Sequence, residues 1–441
     1  MEQKTSNFQI IILLVFGFFI ILSVILFATS KVKQSTDVTV TPVVMWGTVS
    51  GSTVDAFLRA LLEKEKDSLK ITYIEKDPRN FQQNLIEAIA DGAGPDIVIL
   101  PQDMVLKNIN KFTVLPYESY PLRNFKDQFV DAGSVYLNTE GVMALPFIID
   151  PMVMYWNKTQ FVNAGIINPP VDWTEFSKVV SKLTNKDSNF NVLHSGTALG
   201  EYQNIDHAKD ILSMLFMQAG VPIVAKNNKG GYESALLNNT ENKQSLADFA
   251  LTFYTDFANP SKDNYSWNKS LNSSLTSFIA GDTSTYFGFA SELPSISLKN
   301  PNLNFDVAKV PQVAVGDSKK SVFAKIYGLA VLKSSKNQTS AFTQIFKLVS
   351  KDSIVELSTL TNLPPVRKDA LVGSATDLYM KTFYDSALIA DTWMDPDSSA
   401  TEFVFKNMIE SVIIGKNNSD IAISKADGEI ENIIRTNVKS E

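Results

Sequence analysis

Apolar positions along this chain fall into three patterns, each predicting a different kind of element. Residues 8–28 are almost unbroken apolar sequence, interrupted only by Gln9, Gly17 and Ser23. About 20 such residues, at 1.5 Å of rise each, span a ~30 Å hydrocarbon core. A cleavable signal has a shorter apolar core and a small-x-small site, which Phe27-Ala28-Thr29-Ser30 matches poorly. The pattern predicts an uncleaved transmembrane anchor over 8–28, with residues 1–7 cytoplasmic and 29–38 a tether; a cleaved signal is the alternative. Lys4 before the span and Lys31 and Lys33 after it do not favour an outside C-terminal domain by the positive-inside rule, so the extracytoplasmic placement leans on the fold.

From Thr39 onward, short β-rich runs alternate with helical spacing. Residues 40–46 read as a strand and 47–52 as a turn. Ser52-Thr53-Val54-Asp55 then resembles a capping box, opening a helix with Phe57, Leu58, Leu61 and Leu62 on one face. A second strand over 69–74, a helix over 80–91 stopped by Gly92, and a wholly apolar strand over 97–100 complete a doubly wound α/β region. Ligands of such a sheet collect beyond the carboxyl ends of its strands. Here those ends are 46–50 and 101–103.

The third pattern is the stretch 141–158, two apolar runs separated by Asp150 and Pro151. Proline brings no N–H to a ladder, so Pro146 and Pro151 predict an interrupted sheet and a change of sheet at this point. A carboxylate between two runs that want burial needs a partner or a water-filled cleft, which makes Asp150 a candidate binding residue on a hinge. Beyond it, 174–183, 206–219, 245–257 and 271–280 show helical spacing, and 285–289, 305–310 and 327–332 read as strands, the last a return crossing. Helices begin near 340 and 354, 361–366 is an irregular third crossing, and helices over 402–414 and 420–434 close the chain.

Composition narrows the function classes. With 441 residues, two or three domains are expected, and a net charge of −7 without long runs of either sign counts against a nucleic-acid partner. The chain has no cysteine, which excludes disulfides, thiolate metal sites and cysteine nucleophiles. Neither His194 nor His207 sits in a metal-ligand spacing, and no Gly-x-Ser-x-Gly elbow or phosphate-binding Gly-x-x-x-x-Gly-Lys motif occurs. Asp395-Pro396-Asp397 hints at calcium, but without an EF-hand loop around it. The reading is a monomer that is not an enzyme and uses no cofactor or metal.

The order of features resembles the extracellular solute-binding proteins of ABC importers, the family that includes maltose-binding protein. The matching pieces are Trp46-Gly47, Gly92-Ala93-Gly94-Pro95-Asp96, Ala144-Leu145-Pro146 leading to Tyr155-Trp156-Asn157-Lys158, Asp172-Trp173-Thr174-Glu175-Phe176, Phe278-Ile279-Ala280-Gly281-Asp282 and Leu363-Pro364-Pro365-Val366-Arg367. The resemblance covers 39–434 and implies a two-lobed periplasmic-binding-protein fold of α/β class, with hinge strands after one transmembrane helix. It places lobe 1 at 39–147 plus 327–360, and the helix-rich lobe 2 at 148–326 plus 361–441. It further implies a receptor that closes on a small solute, a carbohydrate first among the classes, and delivers it to membrane permease subunits. Carried onto this chain, the family's ligand contacts fall on Trp46, Thr48, Ser50, Gln102, Asp103, Asp150, Glu201, Tyr202, Ser291, Glu292 and Trp393. Leu100, Met104 and Ala290 depart from the maltose-binding pattern, which counts against a maltodextrin. Two other classes fit the same features: a membrane-tethered two-lobed sensor or assembly protein without a transport role, and a glycoside hydrolase using Glu201 and Glu292, which needs a fixed carboxylate separation.

Overall fold

The computed structural model describes residues 40–64, 69–237, 243–314, 319–372, 375 and 377–437. The anchor expected at 8–28 and the tether at 29–38 lie outside the described residues. Among the described residues no helix is long and apolar enough to cross a membrane.

Alternating burial makes β1 (Val43–Gly47) a sheet strand with one face in the core. Its continuation α1 (Gly51–Lys64) buries Val54, Phe57, Leu58 and Leu61. Strand β2 (Ile71–Glu75), helix α2 (Phe81–Ala90) and strand β3 (Ile97–Pro101) follow, with β1 parallel to both β2 and β3. The capping box expected at Ser52 is not where the helix begins. The carbonyl of Ser50 accepts from the N–H groups of Thr53 and Val54, and Gly51 N donates to Glu75 Oε2 at 2.8 Å. A carboxylate from the neighbouring strand thus meets the positive helix end.

The stretch expected to break the sheet is instead one 14-residue strand, β4 (Ala144–Asn157), buried along its whole length. Ala144–Pro151 pair antiparallel with β7 (Val322–Val331). Met152–Trp156 pair with β5 (Thr285–Phe289), and Met154–Asn157 pair on the other side with β6 (Phe305–Ala308). The chain changes partners at Pro151 rather than stopping there. Pro146 is accommodated by a register shift opposite Tyr327 and Gly328, since a bulge relaxes the demand for an N–H. Gly328 is required at that point, because a Cβ would lie 2.8 Å from the Tyr136 ring and 2.9 Å from Ala144 Cβ.

The return strand β7 begins five residues before its predicted start and pairs with β3 as well as β4. With β8 (Ala390–Asp391) beside β7, the eight-stranded sheet runs β5-β4-β7-β3-β1-β2. The hydroxyl of Tyr136 lies 2.8 Å from the carbonyl of Leu100 and 2.9 Å from that of Ile326, tying β3 to β7. Helix α3 (Ala208–Gln218) packs on β7, and the closing helices α4 (Ser398–Ile413) and α5 (Ser419–Asn437) pack on each other, with α4 also against α3.

Candidate functional site

Strand ends build the first wall of a cavity of 710 Å3. The carboxyl end of β1 brings Thr48 to it, and the turn after β3 brings Gln102, Asp103 and Met104. Gln102 is buried because its Oε1 accepts from the N–H of Ile326 at 3.0 Å, a donor that β7 would otherwise leave unpaired. Burial raises the pKa of Asp103, and the nearby carboxylates of Asp395 and Asp210 raise it further. Lys209 and Ser398 act in the opposite direction.

The opposite wall is a buried charge network. Lys209, in the first turn of α3 and only 6% exposed, donates to Asp395 Oδ2 at 2.6 Å, to Thr401 Oγ1 at 2.8 Å and to the carbonyl of Ser398 at 3.2 Å. Asp395 also accepts from Thr401 and from Asp397 N. Burial nevertheless raises the Asp395 pKa against these partners. Asp397 caps α4 through Ala400 N and binds Lys107 Nζ at 2.5 Å. Burial opposes its ionisation, but Lys107 and the cap N–H groups hold its carboxyl below the ordinary range. Lys107 follows β3, so this pair joins the two walls directly. Tyr202 lines the cavity with its hydroxyl on Glu402.

The floor comes from β7, through Phe323, Lys325 and Tyr327. Lys325 stands opposite Asp150 in register, and its Nζ lies 3.9 Å over the Phe289 ring.

Of the residues singled out from the sequence, Thr48, Gln102, Asp103, Tyr202 and Trp393 line this cavity together. Trp393 does so from a buried position, 7% exposed and stacked on Phe405. The other six lie elsewhere. Trp46 is half-buried with Lys76 Nζ 3.6 Å over its ring. Ser50 is exposed at the start of α1. Asp150 is buried behind the floor, accepting from Ser291 N at 3.0 Å. Burial pushes its pKa to about 6, against Ser291 and Lys325 and with help from Glu292. Ser291 itself is exposed. Glu292 accepts from Tyr286 and Phe289 N and lies 2.6 Å from His207 Nε2. Burial works against its charge, yet His207, Tyr286 and Phe289 lower its pKa. Glu201 is 4% exposed, and burial raises its pKa.

The residues missed were Lys107, Lys209, Asp395 and Asp397. Asp397 before Ser398-Ser399 carries an N-cap signal, and the helix begins at Ser398, ahead of the expected start at 402. Asp395 was noticed only as part of a calcium-like Asp-Pro-Asp, and nothing local links it to Lys209, because the partners are 186 residues apart.

The profile of the bacterial extracellular solute-binding proteins matches residues 57–381. Putative binding proteins of Brucella abortus and Brucella suis are 22% identical over 374 residues, covering 80% of this chain and 83% of theirs. Among solved structures, the cyclic alpha-maltosyl-1,6-maltose binding protein of Arthrobacter globiformis superposes with a TM-score of 0.71 at 17% identity, over 90% of this chain and 99% of that one. An ABC transporter solute-binding protein of Thermotoga lettingae bound with alpha-D-tagatose gives 0.64 at 20% identity, over 89% and 99%. The maltotriose binding protein of Thermus thermophilus gives 0.64 at 18%, over 89% and 100%. At these identities the structural likeness establishes the fold.

Proposed function

The chain belongs to the bacterial extracellular solute-binding proteins, and from that premise we propose that it is the receptor of an ABC importer for a small solute of the carbohydrate class. The observation that carries this reading is the cavity itself. Its walls come from separate groups of elements, its floor is the strand that joins them, and one ion pair already crosses its mouth. The chemistry is binding rather than turnover. Lobe 1 comprises 39–147 plus 327–360 and lobe 2 comprises 148–326 plus 361–441, hinged where β4 exchanges partners at Pro151. A solute touching both walls favours the closed form by its differential affinity for it. Residues 8–28 anchor the receptor in the membrane with the cavity on the outer side, and permease subunits receive the solute.

A thermal-shift screen of the full chain against sugars, polyols, amines and small peptides tests this reading. Solute at 100 times its dissociation constant adds ~2.7 kcal/mol of stability, a readily measured shift in melting temperature. A shift produced by a sugar and lost on filling the cavity, for instance by Thr48→Trp, supports the receptor. No response from a well-folded sample across the panel contradicts it and favours a sensor or assembly role.

A further inference from the structure

The cavity's charges do not balance. Lys107 is taken by Asp397 at 2.5 Å, Lys209 by Asp395 at 2.6 Å, and the rim guanidinium of Arg79 by Asp77 at 2.6 Å. The His207 ring is engaged by Glu292 at 2.6 Å, while Lys325 lines the cavity with its Nζ 3.9 Å over the Phe289 ring and makes no ion pair among the described residues. Three wall carboxylates remain. Asp103 makes no ion pair among the described residues, Asp210 has only His207 Nδ1 at 3.9 Å, and Glu402 has the Tyr202 hydroxyl. Sheltering a carboxylate from water is costly, and burial together with Asp395 and Asp210 raises the pKa of the half-buried Asp103 although Lys209 and Ser398 ease its charge.

Of the two tryptophans expected as stacking platforms, Trp46 does not line the cavity, and Trp393 is 7% exposed, stacked on Phe405 and with Lys209 Nζ 5.6 Å over its ring. The excess of carboxylates is thus the feature of the lining that a neutral sugar leaves unused.

Resting on the receptor reading, we propose that the solute is an amino sugar, its protonated amine placed between Asp103 and Asp210, both of which line the cavity, while Gln203, Ser399 and Thr48, which line it too, are left to meet hydroxyls. An ammonium in that position relieves the uncompensated carboxylates and makes charge-assisted hydrogen bonds roughly twice as strong as neutral ones. A neutral sugar of the same shape leaves them as they are.

The test is calorimetric titration of the full chain at neutral pH with matched sets: glucosamine, glucose and N-acetylglucosamine, then galactosamine with galactose and mannosamine with mannose. The amine member of the responding set should bind about tenfold tighter than its neutral counterparts, as one added charge pair in a sheltered site allows. Asp103→Asn should bring the members within about twofold of each other, mainly by weakening the amine. Asp210→Asn, on the other side of the cavity, provides the same test if Asp103→Asn fails to fold. A neutral sugar that binds as tightly as its amine counterpart overturns this inference and leaves the receptor standing. A preference for the amine that survives both substitutions overturns the placement between Asp103 and Asp210. Silence of the whole panel overturns the inference and the carbohydrate reading together.

Discussion

The two walls of the cavity solve the same problem with different chemistry. The wall at the strand ends places an uncharged amide, Gln102, on a backbone N–H, and leaves Asp103 facing the cavity. The opposite wall locks a lysine, two aspartates and a threonine into one buried network around the start of α4. The first wall is positioned by the sheet and needs little of its side chains. The second is held by charges whose desolvation has to be offset by their partners. Rigidity on one side thus comes from backbone pairing, and on the other from electrostatics.

Removing the ammonium from the network should give the largest effect. Lys209→Met leaves Asp395 buried without its cation and should cost about 3–5 kcal/mol in chemical denaturation. A cost below about 1 kcal/mol would mean that the network is not what holds this wall.

Asp150, behind the floor, sharpens the contrast through pH. Its folded pKa of about 6 lies above the unfolded value, so the folded state holds the proton more tightly. Its contribution is therefore most favourable below about pH 4 and declines as pH rises to about 6, by roughly 3 kcal/mol at most. Asp150→Asn should flatten the stability profile in that window, measured by melting at stepped pH. An unchanged slope would assign the titration elsewhere.

On the sheet-built wall, Gln102→Leu orphans the N–H of Ile326 and should cost about 1–3 kcal/mol, less than Lys209→Met. Equal costs would erase the distinction between the walls. The smallest effect belongs to Lys107→Ala. Lys107 is one-third exposed, so losing its pair with Asp397 should cost about 0.2–1 kcal/mol of stability. Because that pair spans the cavity, its loss should widen the distance between the walls more than it lowers the melting temperature.

The first wall was legible in the sequence, and the second only through Tyr202 and Trp393, not through its charges. Runs such as Ile97–Leu100, apolar throughout, announce a central parallel strand, and the residues just beyond such a strand face a ligand by topology alone. That reasoning reaches Thr48, Gln102 and Asp103 from local pattern. Lys209 and Asp395 meet only because α3 packs on β7 and the segment before α4 follows β8, which pairs with β7; in the sequence Asp395 stood out only as a hint of calcium, and Lys209 not at all. Proline was informative in one place and not in the other. The ladder does change partners at Pro151, as expected, but a bulge opposite Gly328 keeps Pro146 within the pairing, and one strand runs through both. Asp150 was found for a sound reason, its cost of burial, yet its partner is Ser291 N on the far side of the floor.

Whether a solute draws the two walls together can be measured directly, because the chain has no cysteine. Exposed Asp91 and Asn272 can each be replaced by cysteine and spin-labelled, so that the distance between the labels is read with and without the solute that raises the melting temperature. A broad distribution that shortens and narrows on saturation is expected. A bound solute that leaves the distribution unchanged would contradict closure and, with it, the receptor mechanism.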